Sequence, residues 1–153
     1  MIPLSTVKTG CKGCTACCTH MNIVEIGSPA GERCDHEVHH GCGIYESRPE
    51  GCKKFICGWA QGVLPDEWFP PNVGFFVYPG QEPDIICFKE IREGVFFSEE
   101  AGRLFRKVLE RLPEMRLVLI PFNPTADRTV LSRAKLTPPQ KLTPARKTKG
   151  KKQ

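Results

Sequence analysis

Eight cysteines set the chemical question in this chain. Cys11, Cys14, Cys17 and Cys18 stand in the run CKGCTACC, Cys34 and Cys42 follow, and Cys52 and Cys57 close the series within CGIYESRPEGCKKFICGW. Free thiols are used sparingly in folded domains, mostly as small buried hydrophobes, so this density calls for sulfurs tied to one another or to a metal. Disulfides suit the pattern poorly. The opening MIPLSTVKTG has neither a cationic n-region nor an apolar h-region, which predicts no export to an oxidising compartment and hence a cytoplasmic protein. The count of nine cysteines is odd, and neighbouring side chains such as Cys17 and Cys18 diverge too much to bridge easily. Metal ligation is the expected chemistry.

The spacing narrows the choice of metal without deciding it. Cys11, Cys14 and Cys17 recur at three-residue steps, which lets one tight loop aim three thiolates at one centre, as in iron–sulfur and zinc-knuckle loops. A bacterial ferredoxin run would place its fourth cysteine at position 21, where this chain has Met21. The CxxxCxxC triplet of radical-SAM enzymes is absent as well. Thiolates suit both zinc and iron–sulfur clusters, so ligand type leaves the two open. Because successive side chains point apart, Cys17 and Cys18 serve two centres more easily than one. Eight cysteines then divide into two four-cysteine sites, with a single site and spare thiols as the simpler alternative.

The order CxxCxxCC, a cysteine-rich middle, and then C-x-I-Y-x-x-R-P-x-x-C-x-x-F-x-C resembles the YkgJ-type cysteine-cluster family, described as a zinc- or iron-chelating domain. The resemblance covers roughly residues 8 to 59. It implies metal ligation by Cys11, Cys14, Cys17, Cys18, Cys34, Cys42, Cys52 and Cys57. A similar cysteine cluster occurs in the flagellin lysine N-methylases, much longer chains that use S-adenosylmethionine; the resemblance does not carry their activity to this chain.

Other residues support the cluster. Gly10 and Gly13 flank the first two cysteines and suit a loop whose amides turn toward sulfur. Arg48, a permanent cation with a rigid fork of donors, is expected behind the ligands, holding a thiolate or a loop carbonyl. Tyr45, Phe55 and Trp59 supply an apolar wall that keeps water off the site. His20, His36, His39 and His40 could ligate by the ordinary Cys/His rule, but are expected as solvated loop side chains. Cys87, between Ile86 and Phe88 in an apolar run, is expected as a buried core thiol.

The elements that must position these groups follow from periodicity. The chain reads as a small, irregular α+β protein in which a metal-stabilised cysteine-rich lobe packs on a few antiparallel strands and one or two helices. Residues 1–59 form the cysteine lobe, residues 60–132 a small α+β unit packed on it, and residues 133–153 a disordered basic tail. Within the lobe, Ile23, Val24 and Ile26 alternate as in a short strand, and Pro49 starts a turn at Glu50-Gly51. Residues 60–73 form a Pro-rich connector anchored by Trp68 and Phe69. Strands are expected at 74–78, 84–91 and 116–122. Ser98 caps a helix with Glu99 and Glu100 in its first turn, and Ala101, Leu104, Phe105, Val108, Leu109 and Leu112 make one apolar stripe. A core this small makes folding dependent on metal.

Charge and motif content bound the function. The net charge is +5, but eight Lys or Arg lie in 133–153 with no acid, leaving 14 basic against 17 acidic side chains elsewhere. No apolar run reaches the roughly 18 residues of a membrane span, so no membrane partner is expected. There is no GxGxxG, P-loop, Gly-x-Ser-x-Gly or HExxH motif. The leading expectation is a cytoplasmic metal-binding protein holding zinc or an iron–sulfur cluster, in electron transfer or in cluster and metal handling, with a redox or metal-donor protein as partner. The alternatives are a cluster-dependent enzyme of redox or methyl-transfer type, and a zinc-stabilised module that binds nucleic acid through its tail.

Overall fold

A computed structural model describes residues 11, 13–39 and 41–135. The protein is α+β, and a four-stranded sheet divides it. Strands β3 (Phe75–Pro79), β4 (Ile85–Glu90), β5 (Arg116–Ile120) and β6 (Thr129–Ser132) lie side by side in sequence order. β3 and β4 form an antiparallel hairpin, with Phe75 opposite Glu90 and Tyr78 opposite Cys87. β4 and β5 run parallel, in register from Ile85 with Arg116 to Lys89 with Ile120, and β5 and β6 are antiparallel. The antiparallel pairs β3–β4 and β5–β6 match the expected antiparallel strands, and the parallel pair at the centre is an addition to that expectation. Its cause is the helix between β4 and β5, which carries the chain back along the sheet and so makes the next strand run in the same sense.

That helix is Glu99–Arg111, labelled α4 once the shorter helices α1 (Ala16–His20), α2 (Glu50–Lys54) and α3 (Pro70–Val73) are counted. Ser98 caps it: the Ser98 hydroxyl accepts a hydrogen bond from the Ala101 N–H at 3.1 Å. Ala101, Phe105 and Leu109 face inward, where Phe105 meets Phe88 edge-on at 5.1 Å and Phe96 at 5.6 Å. With Phe75, Val77, Leu117 and Leu119 these residues form the main core, all on one face of the sheet. The side chains that alternate with them along the strands, such as Phe76 and Tyr78, point to the opposite face. There Phe55 of the cysteine lobe packs on both, at 5.9 Å and 5.3 Å.

Glu90, buried at the end of β4, ties the loops on either side. Its carboxylate accepts from the Phe96 N–H at 3.1 Å and the Phe122 N–H at 2.9 Å. Beside it, the buried Lys89 amine donates to the Pro121 carbonyl.

Four local expectations change. Residues 23–26 are not a strand: Val24–Ile26 is a 3-10 turn, and one bridge joins Ile23 to Ser28. The apolar alternation reflects Ile23 turned in and Val24 turned out, in a segment with no partner strand beyond that bridge. At Glu50-Gly51 the chain starts a helix, α2, rather than a turn. The Glu25 carboxylate supplies its cap, accepting from the Gly51 N–H at 2.9 Å, and a Cβ on Gly51 would collide with that carboxylate. The connector 60–73 contains α3, led by Pro70 and stopped by Gly74 at φ +83°, where a Cβ would strike Val95 and Arg92. A small hairpin of β1 (Glu37–Val38) and β2 (Gly41–Cys42) was not signalled, nor was β6. Of the basic tail, Arg133–Lys135 form a 3-10 turn, and the rest lies outside the described residues.

Candidate metal centre

Each cysteine is placed by a short, locally held element. Cys11 and Cys14 span a turn closed by the Cys14 N–H on the Cys11 carbonyl at 2.8 Å, with Gly13 at φ 77° making the bend. α1 presents Cys17 and Cys18. The Cys34 N–H donates to the Cys18 carbonyl at 3.1 Å, which lays the second segment against the first. Cys42 sits on β2 opposite Glu37, whose carboxylate accepts from the Thr19 hydroxyl at 3.3 Å. Cys52 rides on α2. Cys57 follows it and is fixed to the sheet because the next residue, Gly58, donates its N–H to the Val77 carbonyl at 2.7 Å.

These elements enclose a cavity of about 710 Å³, and all eight cysteines line it. Its walls include Arg48, Tyr45, Phe55, Trp59 and Phe76. No cysteine is in a disulfide, and Cys34 is the most deeply buried of the eight. Among the described residues, no three His, Cys, Asp or Glu side chains converge in an arrangement that could hold an ion as they stand. The sulfurs therefore share a chamber without closing on one point.

Arg48 shapes the field in this chamber. Its guanidinium carbon lies 3.7 Å from the centre of the Tyr45 ring, a stacked geometry that fixes the fork, and its buried Nε has no hydrogen-bond acceptor. Burial pushes three of the chamber thiols up, those of Cys11, Cys14 and Cys52. Cys14 rises to about 11, first through burial and then through the neighbouring Cys57 and Cys11, with the Ala16 N–H working against the rise. Cys11 is raised by burial and by Cys57 and Cys18, while Arg48 pulls it down. Cys52 is raised by burial, then by Cys18, Cys42 and Cys34. A hydrogen bond from the Cys17 thiol to the Cys18 sulfur holds Cys17 protonated and lowers Cys18. Crowded thiols resist ionising together, and a bound cation removes that resistance by favouring every thiolate around it. Eight soft donors, an apolar wall and a half-buried guanidinium match the ligand chemistry of zinc or an iron–sulfur cluster, though the sulfurs stand too far open to close on one centre.

The histidines divide. His36 lines the cavity. His20, expected as a solvated side chain, is instead buried against Phe122 with ring centres 5.4 Å apart, because α1 turns it away from the cysteines toward the loop after β5. His39 is exposed, and His40 lies outside the described residues. Cys87 lies outside the cavity, buried in β4, where the Tyr78 hydroxyl donates to its sulfur. Two contributors had no sequence signal: Glu25, which caps α2 from 26 residues away, and Phe76, which forms the floor where the sheet meets the lobe. Set against models of known protein families, curated proteins and solved structures, the chain finds no match.

Proposed function

We propose that the protein holds zinc or an iron–sulfur cluster in its cysteine chamber and works in electron transfer or in handling metal or clusters. The observation that carries this reading is that eight unbridged cysteines line one cavity. A fold gains nothing from eight free sulfurs lining one space unless something binds them, because free thiols are reactive and crowded thiolates repel. The motif resemblance to YkgJ-type chelating domains points the same way. Zinc would cross-link the lobe, and a cluster would add one-electron redox chemistry.

Anaerobic purification followed by an absorption spectrum, with iron, zinc and labile sulfide assayed on one sample, tests the reading. A broad band near roughly 400 nm with sulfide matching iron identifies a thiolate-bound cluster. A colourless protein carrying zinc identifies a zinc centre. A protein purified with neither, and taking up neither after reduction, overturns the proposal.

A further inference from the structure

Cys11 and Cys14 sit at the two ends of one closed turn. The Cys14 N–H donates to the Cys11 carbonyl at 2.8 Å, and Gly13, third in the turn, has φ 77°. That is the signature of a type II β-turn, where glycine takes the left-handed conformation that other residues adopt only under strain. Such a turn holds its end residues within about 7 Å between Cα atoms, the range over which a disulfide forms without moving the backbone. Both side chains are half-buried free thiols that line the cavity.

Two other pairs compete, and each is handicapped. Cys17 and Cys18 are neighbours within α1, so a bridge between them would close a small ring through a planar trans peptide and distort the helix. Cys18 and Cys34 are tied by the Cys34 N–H on the Cys18 carbonyl at 3.1 Å, but Cys34 is only 5% exposed. Either member of the Cys11–Cys14 pair can meet a small oxidant first, whereas only Cys18 of the second pair can.

We propose that the Cys11–Cys14 turn is a thiol–disulfide switch on the chamber: a small-molecule disulfide of the glutathione type bridges it, and two donors leave the set of eight together. This rests on the metal-binding reading above and goes beyond it in naming what regulates the site. One protein thiolate attacks the small disulfide, breaks its S–S bond, forms a mixed disulfide and releases one small thiol. The other protein sulfur then attacks the protein sulfur of that mixed disulfide, the Cys11–Cys14 bond forms, and the second small thiol leaves. The two protein thiols lose two electrons, the small disulfide gains them, and the thiol protons pass to the released small thiols. Excess small thiol runs the same steps backwards and restores all eight sulfurs.

The test uses the full chain, reduced and freed of metal anaerobically, then incubated with oxidised glutathione, alkylated, and read by mass spectrometry intact and after trypsin. Trypsin cuts after Lys12, so a Cys11–Cys14 bridge joins peptides 9–12 and 13–33, which the reduced chain releases separately. The expected first product has lost two hydrogens, carries no glutathione, and fragments with the bond at Cys14. Cys11→Ser with Cys14→Ser should lack this product, with circular dichroism checking its fold. The unsubstituted chain loaded with zinc alone should give up zinc to a chromophoric chelator in step with the bridge, and take it up again after reduction. Lasting glutathione adducts on Cys11 and Cys14, or a first bridge at another pair, overturn the switch and leave metal binding intact. So does a bridge that forms with the full complement of zinc retained. A reduced chain that takes up no zinc overturns the switch and the zinc reading together, even where the bridge forms.

Discussion

Arg48 lies flat on the Tyr45 ring, beside Cys11 and Cys18, with a buried donor that has no protein acceptor. A thiolate-bound metal centre is anionic, and a fixed guanidinium at its edge offsets that charge. Arg48→Gln should therefore weaken metal retention by about 10- to 100-fold, the usual cost of losing a group that supports ligands, and Arg48→Lys should recover part of it. Competition with a chromophoric chelator measures this, and equal retention in all three proteins would remove Arg48 from the site. Tyr78, away from the chamber, makes a separate case. Burial first, and then the Cys87 charge, push its hydroxyl up to about 12, against an ordinary value near 10. A group kept neutral in the fold stabilises it fully below pH 10, and that contribution is lost as pH climbs through 12. In a Tyr45→Phe variant, which leaves Tyr78 as the sole tyrosine, phenolate absorbance should rise near pH 12; a midpoint near 10 would mean that the hydroxyl is open to water.

At the scale of elements, α4 shows how much local sequence can carry. Its cap, acidic first turn and apolar stripe all point to one helix, and Phe105 and Leu109 end up 1% and 0% exposed. Phe105→Ala should cost about 3–5 kcal/mol. Ser98→Ala, which removes only the cap, should cost about 1 kcal/mol. Urea denaturation checks both, and similar losses for the two would mean that the helix is held by its end rather than its face. Strands β3, β4 and β5 were legible for the same reason, as apolar runs bounded by Gly and Pro. The parallel pairing of β4 with β5 was not, because it depends on how the helix crosses the sheet. α2 was missed because its cap comes from Glu25, far away in sequence, and β6 because Thr129–Ser132 is short and faces water along half its length. The cysteine spacing singled out the eight that share the chamber and set Cys87 apart. It gave no sign of the sheet face beneath them, since Phe76 and Tyr78 look like any strand residues until Phe55 lands on them.

For the whole molecule, the sheet separates two kinds of cohesion. Its helix side is a conventional apolar core of Phe, Leu and Val. The other side is a lobe of short turns around a chamber of thiols, whose side chains lie outside that core apart from contacts such as Phe55 on Phe76. Metal should therefore matter unequally, a refinement of the expectation that all folding depends on it. After chelation, amide exchange should stay slow at Phe88 and Leu119 and become fast at Cys34 and Gly58. Equal loss at all four would show that metal holds the entire chain. The bond from Gly58 to Val77 adds a consequence for solubility. By occupying the outer edge of β3, the segment after Cys57 acts as a one-residue guard on a strand that reads Phe-Phe-Val-Tyr. Unguarded apolar strand edges recruit other chains. Should the lobe pull away from β3 when the proposed metal is removed, that border of the sheet lies open to other chains.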